Sequence, residues 1–314
     1  MEQYPCLLLT DGHAGNLHQA AALAMALGLD DTRHVAVQPG RGARWLAPRL
    51  FPGAGQGLGK GFADALASPS PLAIGCGRQG ALATRLLRRA GSRVVQILDP
   101  RIDTKHWDIV IAPEHDGLHG GNVVALQGSL HPVDAGWLAR GRREHPGIES
   151  LPGPRVALLA GGPSAHWRWD DADFAGALDA VAAATRTRGG SLMVSASRRT
   201  PESWRAAIRG CGASVNWCDA ADGPNPYAGL LGWADAIIAT ADSVNMLSEA
   251  AATPAPLLLL APERLHGRPR RFIDHLLASD RARVFSGAIE TWPVAPLLET
   301  ARVAREVARR LHIG

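Results

Sequence analysis

Short apolar runs and helical periodicities take turns along the whole chain. In the first half, apolar runs of strand length lie near 6–10, 34–37, 71–75, 93–98, 108–111 and 123–126, with helical spacing near 16–28, 78–90 and 132–142. A second series places strands near 155–160, 191–195, 214–217, 236–240 and 256–261. Its helices are expected near 170–187, 201–209, 226–234 and 243–252. Strands that alternate with helices predict parallel sheets built from right-handed crossovers. Between the two series, "REHPGIESLPGP" (143–154) carries three Pro, two Gly and no apolar period, so it is expected to be a linker. The pattern predicts an α/β chain of two Rossmann-like domains, 1–145 and 155–295, facing across a cleft at their strand C-termini, where open α/β sheets take ligands. A last helix over 296–312 has Leu297, Ala301, Ala304, Ala308 and Leu311 in one stripe and Arg302, Arg305, Arg309 and Arg310 on its other faces. Such a helix packs by its stripe and solvates its basic face, or turns that face to lipid.

Composition narrows the class. The chain has 314 residues, 46% hydrophobic and 20% charged, enough for two domains each with a core. No apolar stretch approaches the roughly 18–20 residues of a membrane helix. The opening "MEQYPCLLLTDG" has no basic leader, so the expectation is a cytoplasmic protein, at most peripheral to the inner face of a membrane. Cys6, Cys76, Cys211 and Cys218 are scattered without C-x-x-C spacing, which fits buried thiols rather than a metal site. The net charge of +4 favours anionic partners such as phosphates or lipid headgroups. No nucleic-acid motif is present.

The glycine-rich stretch "LAIGCGRQGA" (72–81) sets Gly75, Gly77 and Gly80 in G-x-G-x-x-G order, and Asp99 ends the next apolar run. This is the pattern of a dinucleotide site. Here, however, it follows the third strand rather than the first, and Pro100 follows Asp99, so redox chemistry ranks last. A stronger signal lies in "AIIATADSVNMLSEAAATPAP" (236–256), where a strand ends at Thr240 and Asp242 or Ser243 caps a helix. Asp242, Asn245 and Glu249 share one helical face. The helix start suits a phosphate and Glu249 suits a ribose, while the alternative is a capped helix with a solvated face. Gly161 and Gly162 follow a strand, where backbone can approach a ligand, and Asp170 caps the next helix. Ser195, Ser197, Arg198 and Arg199 end another strand, with Thr200-Pro201 opening a helix, and the guanidinium pair suits a diphosphate.

In the first half, "TDGHAGNLHQ" is strand, glycine loop and helix, with Asn16 and Gln19 as a capping box. The turn needs neither Asp11 nor His13, and His13 can serve as a general base. Glu114, His115, Asp116 and His119 form a second polar group, weak as a metal site and better read as a cleft loop. "FPGAGQGLGKG" (51–61) lacks the P-loop glycine at Ala54 and the hydroxyl at Gly61, so it is read as a flexible loop. Trp45, Leu46, Leu50 and Phe51 with Arg41, Arg44 and Arg49 form an apolar–basic patch for core packing or for an anionic membrane or lipid acceptor.

The blocks "TDGHAGNLHQ", "QILDPR", "DIVIAPEHD", "SASRRTP", "NPYAGLLGWAD" and "TADSVNMLSEA", with "RRF" after 268, resemble in order and spacing the mitochondrial-fission "elongated mitochondria" family and its bacterial relatives. That family is related in fold to GT-B glycosyltransferases and nucleotide-sugar 2-epimerases. "GCGRQGA" departs from the GRRT-like sequence relatives often carry, keeping only Gly77 and Arg78 of it. The resemblance implies that the C-terminal domain binds a nucleoside-diphosphate sugar, that 296–314 returns to the N-terminal domain, and that no cofactor or bound metal is needed. Glu249 then holds the ribose. Gly161, Gly162, Ser197, Arg198, Arg199, Tyr227, Asp242, Ser243 and Asn245 complete the nucleotide-sugar site. Gly12, Gly15, Asn16, Gly77, Arg78, Glu114 and His115 face the acceptor, and His13, Asp11 or Asp116 deprotonates it. The expected function is transfer of a sugar to an acceptor, which a membrane or lipid carrier can present. Nucleotide-sugar epimerisation and a non-enzymatic membrane-surface scaffold are the alternatives, and the oligomeric state stays open.

Overall fold

A computed structural model describes residues 6–313, with the side chains of residues 41–43, Arg41 among them, outside the described part. The chain forms two compact units, one of residues up to Pro132 together with Leu298 onward, the other Val133–Leu297. The division precedes the helix expected near 132–142, which therefore belongs to the second unit. The stretch expected as a linker lies inside that unit and buries Ile148 in its core.

The first unit runs β1 (Cys6–Thr10), α1 (Ala14–Ala26), β2 (Thr32–Ala36), α2 (Arg41–Leu46), α3 (Lys60–Ala67), β3 (Leu72–Cys76), α4 (Gly77–Arg89), β4 (Arg93–Ile97), β5 (Ile109–Pro113) and β6 (Val123–Leu126). All six strands are parallel in the order β2-β1-β3-β4-β5-β6, with Leu8 opposite Ile74. β1, β3 and β5 are buried at every position because helices cover both faces of the sheet, which is why they read as unbroken apolar runs. Leu8, Ile74, Val95 and Ile111 pack on one face, and Leu7, Leu9, Val94 and Val110 on the other, under Phe62 and Leu82. The 51–61 segment is anchored rather than free, since Ala54 and Leu58 are buried and Lys60 opens α3.

The second unit contains α5 (Ala135–Glu144), β7 (Arg155–Ala160), α6 (Asp171–Thr187), β8 (Ser191–Ala196), α7 (Glu202–Gly210), β9 (Val215–Trp217), α8 (Tyr227–Trp233), β10 (Ala236–Thr240), α9 (Val244–Ala251), β11 (Leu257–Leu260), α10 (Pro269–Ala278) and β12 (Ala282–Val284). Its six parallel strands follow the order β12-β11-β10-β7-β8-β9. Asp170 caps α6 with a reciprocal box to Asp173. The core includes Trp167, Phe174 and Trp204, the last two stacked 4.2 Å apart.

The final helix, α11 (Glu299–Leu311), packs on the first unit's sheet through Val303, Ala304, Val307 and Leu311. Its buried stripe is thus rotated from the expected one. The larger Val303 and Val307 take the core, Ala301 faces solvent, and Leu297 belongs to the second unit's core. α1 also begins earlier than expected, at Ala14 with His13 as its N-cap residue, so Asn16 and Gln19 form no capping box. No helix among the described residues is long and apolar enough to cross a membrane.

Candidate functional site

Each sheet has one point where the chain reverses direction of winding. It lies between β1 and β3 in the first unit and between β7 and β10 in the second. Loops leaving the carboxyl ends of such strands diverge and open a crevice for a ligand. Most of the sequence-derived residues lie at these two places.

In the second unit, β7 delivers Gly161-Gly162 and β10 delivers Asp242. The Asp242 side chain is fully buried and accepts from the Thr240 hydroxyl (2.5 Å), the Gly162 amide (3.2 Å) and the Arg199 Nη2 (2.5 Å). A Cβ at Gly161 would sit 2.0 Å from the Asp242 carboxylate, and one at Gly162 would sit 2.4 Å from the Arg199 carbonyl. The two glycines are therefore fixed by close packing against their own unit. Their amides are spent on Thr240 (2.8 Å) and Asp242, not offered to a phosphate. Thr200 ties the third loop down by donating to the Ala160 carbonyl (3.0 Å), while Ser197 receives the Arg199 amide (3.2 Å). Thr200 is thus a loop fastener and Pro201 takes the N-cap place of α7. Arg199 also donates to the Gly162 carbonyl (3.3 Å), so the expected guanidinium pair divides. Arg199 is held inside the loop system, while the exposed Arg198 side chain has no ion-pair partner among the described residues.

Those contacts leave α9 as the element that can meet an anion. Ser243 caps it by accepting from the Met246 amide (3.4 Å). The Val244 and Asn245 amides have no acceptor among the described residues. First-turn amides at the positive end of a helix favour negative charge. In the last turn of α9, Glu249 accepts from the Tyr227 hydroxyl at 2.5 Å. Burial, reinforced by the Glu249 charge, holds the phenol well above its ordinary pKa, so Tyr227 stays a donor and fixes the carboxylate.

The C-terminal end of α9 is held by a residue that sequence reasoning missed. Arg281, buried just before β12, donates to the carbonyls of Ala251 (2.8 Å), Ala250 (3.0 Å), Thr253 (2.8 Å) and Ala255 (3.1 Å). Burial pulls its pKa down to about 10, which leaves it charged at neutral pH. A cation at a helix C-terminus complements the dipole and satisfies the orphan carbonyls.

In the first unit, Asp11 follows β1 and accepts from the His13 amide (3.1 Å) and the Asn16 side chain (2.9 Å). The His13 ring is largely exposed, its Nε2 3.9 Å from the Asp11 carboxylate. Gly12 takes a positive φ in this turn and Gly15 lies in the first turn of α1. The Cys76 thiol donates to Asn16 (3.5 Å), and burial together with the Asp11 charge pushes its pKa up. Glu114, His115 and Asp116 form a short 3-10 turn after β5, three strands from β1 and so about 14 Å along the sheet. Asp116 and His13 are not neighbours, and Glu114 accepts from the Gln127 side chain. Among the described residues no group of three or more His, Cys, Asp or Glu could hold a metal ion.

The fingerprint glycines serve packing. A Cβ at Gly80 would meet the Leu9 carbonyl at 2.5 Å, and one at Gly75 would meet Thr84 at 2.7 Å, so both let α4 lie against the sheet. Asn16 sits over Gly77, within 2.9 Å of where its Cβ would be, where a dinucleotide's pyrophosphate would approach. Asp99, the expected ribose acid of that pattern, is bound to the Arg101 amide (2.7 Å) and paired with its guanidinium (3.3 Å).

The sequence profile of the family described as Mitochondrial fission ELM1 matches residues 14–311. The chain belongs to that family. Mitochondrial fission protein ELM1 of Arabidopsis thaliana is 29% identical over 273 residues, covering 76% of this chain and 64% of that protein's length. Uncharacterized protein RP120 of Rickettsia prowazekii (strain Madrid E) is 24% identical over 78% of this chain and 81% of its own. Among solved structures, Os79 from O. sativa in complex with UDP superposes with a TM-score of 0.55 at 12% identity, covering 97% of this chain and 91% of its own. A UDP-GlcNAc 2-epimerase from Neisseria meningitidis bound to UDP-GlcNAc gives 0.52 at 10% identity, covering 99% and 100%. This ELM1-family chain therefore has the two Rossmann-like units of GT-B glycosyltransferases and UDP-sugar epimerases.

Proposed function

We propose that this chain binds a nucleoside-diphosphate sugar at the β7/β10 switch point and transfers the sugar to an acceptor hydroxyl. The observation that carries the reading is α9, with two first-turn amides that have no acceptor among the described residues and a Tyr227-oriented Glu249 about 7 Å along its axis. That separation suits a diphosphate on the amides and a ribose diol on the carboxylate. The fold neighbour Os79 is in complex with UDP, which supports a nucleotide as the ligand. In the reaction the acceptor oxygen bonds to the anomeric carbon as the bond from that carbon to the diphosphate breaks. The hydroxyl proton passes to a general base. The charge left on the diphosphate is taken up by the α9 amides and Arg198. Isothermal titration of the full chain against UDP- and GDP-sugars tests this. Binding of at least one is expected, weakened about tenfold or more in Glu249→Ala, a loss of roughly 1.4 kcal/mol or more. Binding to none of them sinks the proposal.

A second reading, epimerisation of the bound sugar, is supported by the end-to-end match to the Neisseria epimerase. Only an epimerase converts the nucleotide sugar with no acceptor present. A product assay without acceptor separates the two.

A further inference from the structure

The first unit has a cavity of its own at the β1/β3 switch point, of about 610 Å³, lined by Asp11, Arg44, Trp45, Arg78 and Gln79. Trp45 is 83% exposed, an unusual position for the largest apolar side chain. Its backbone is nonetheless fastened. Arg78 donates to the carbonyls of Trp45 (3.2 Å) and Ala47 (2.6 Å), and Arg85 donates to that of Pro48 (2.6 Å). The fastened backbone thus carries an exposed indole beside a carboxylate, an amide and two guanidinium groups. Arg44 is exposed and has no ion-pair partner among the described residues.

A bilayer surface is the weaker fit. Leu50 and Phe51, which the sequence groups with Trp45, turn inward onto the core beneath α3 and α4, leaving only Trp45 and Leu46 outward. A dinucleotide is disfavoured because Asn16 covers the start of α4. A pyranose fits better, since its C–H face can lie on the indole while its hydroxyls reach Asp11 and Gln79. The free guanidinium of Arg44 adds a preference for an anionic substituent.

We propose that this cavity binds an anionic saccharide, a hexose bearing a phosphate or a carboxylate. The test is calorimetric titration of the full chain with glucose, glucose 6-phosphate, glucuronate and UMP, with UDP titrated in parallel. Glucose 6-phosphate or glucuronate is expected to bind at least tenfold more tightly than glucose. Trp45→Ala should raise that Kd at least tenfold, and Arg44→Ala should bring it close to the value for glucose, with UDP affinity within twofold of wild type in both. Charged sugars that bind no more tightly than glucose, or a Trp45→Ala variant that binds them like wild type, would overturn the proposal. So would UMP binding more tightly than either charged sugar. Flotation with phosphatidylglycerol vesicles that is abolished by Trp45→Ala, in a chain that binds no sugar, would assign the surface to a membrane instead. Sugar binding in a chain that binds none of the UDP- and GDP-sugars would sink the transferase reading and leave this site standing.

Discussion

At the residue scale, the second unit's crevice depends on one buried carboxylate. Asp242 gathers the β7, β8 and β10 loops through Gly162, Arg199 and Thr240, and no space remains beside it for a side chain at 161. Gly161→Ala is expected to cost about 2 kcal/mol or more of stability, because a buried, fully bonded anion must move. Equilibrium denaturation measures it, and an unchanged midpoint would contradict the packing role. His131 gives a second residue-scale expectation. It is buried, its backbone clasps Thr300 of α11 (3.0 and 2.8 Å), and burial lowers its pKa from 6.5 to about 4. The unfolded chain therefore binds the proton first as pH falls. Stability should be unaffected by this group above pH 6.5 and decline by up to roughly 3 kcal/mol between pH 6.5 and 4. Denaturation midpoints across that range should lose this component in His131→Leu. An identical slope in the variant would contradict it.

At the element scale, α9 carries the proposed chemistry and Arg281 holds its end. Replacing Arg281 with Met leaves four carbonyls without that donor, which is expected to cost roughly 3–5 kcal/mol. Arg281→Lys, with three donors and no planar fork, should fall between. Hydrogen exchange should show lost protection at 248–252 in Arg281→Met, and unchanged protection there would refute the clamp. The strands were legible because their apolar runs are unbroken wherever helices cover both faces of a sheet. α2, α3, α10 and β12 were not read, being short and, in α10, crowded with Arg270, Arg271, Asp274 and His275. The α9 face with Glu249 could be read from i, i+4 spacing. The Arg199–Asp242 pair spans 43 residues, and Arg281 is one arginine among many, so neither had a local signal. That is also why Gly161 and Gly162 looked like a phosphate loop, since the groups that occupy their amides come from distant strands.

At the scale of the whole molecule, the first unit is discontinuous in sequence, completed by α11. Val303, Val307 and Leu311 cover the sheet face that includes Ile74 and Ile111. A chain ending before Leu298 should lose the first unit's cooperative melting transition and keep the second's. A calorimetric trace that keeps both transitions would contradict that role for α11. The glycine fingerprint after β3 and the helix after β10 offer rival addresses for a nucleotide, one in each unit. A crystal structure of the chain with bound UDP decides between them most directly. The account predicts the diphosphate on the Val244 and Asn245 amides and the ribose on Glu249. A diphosphate found instead over Gly77 at the start of α4 would contradict it.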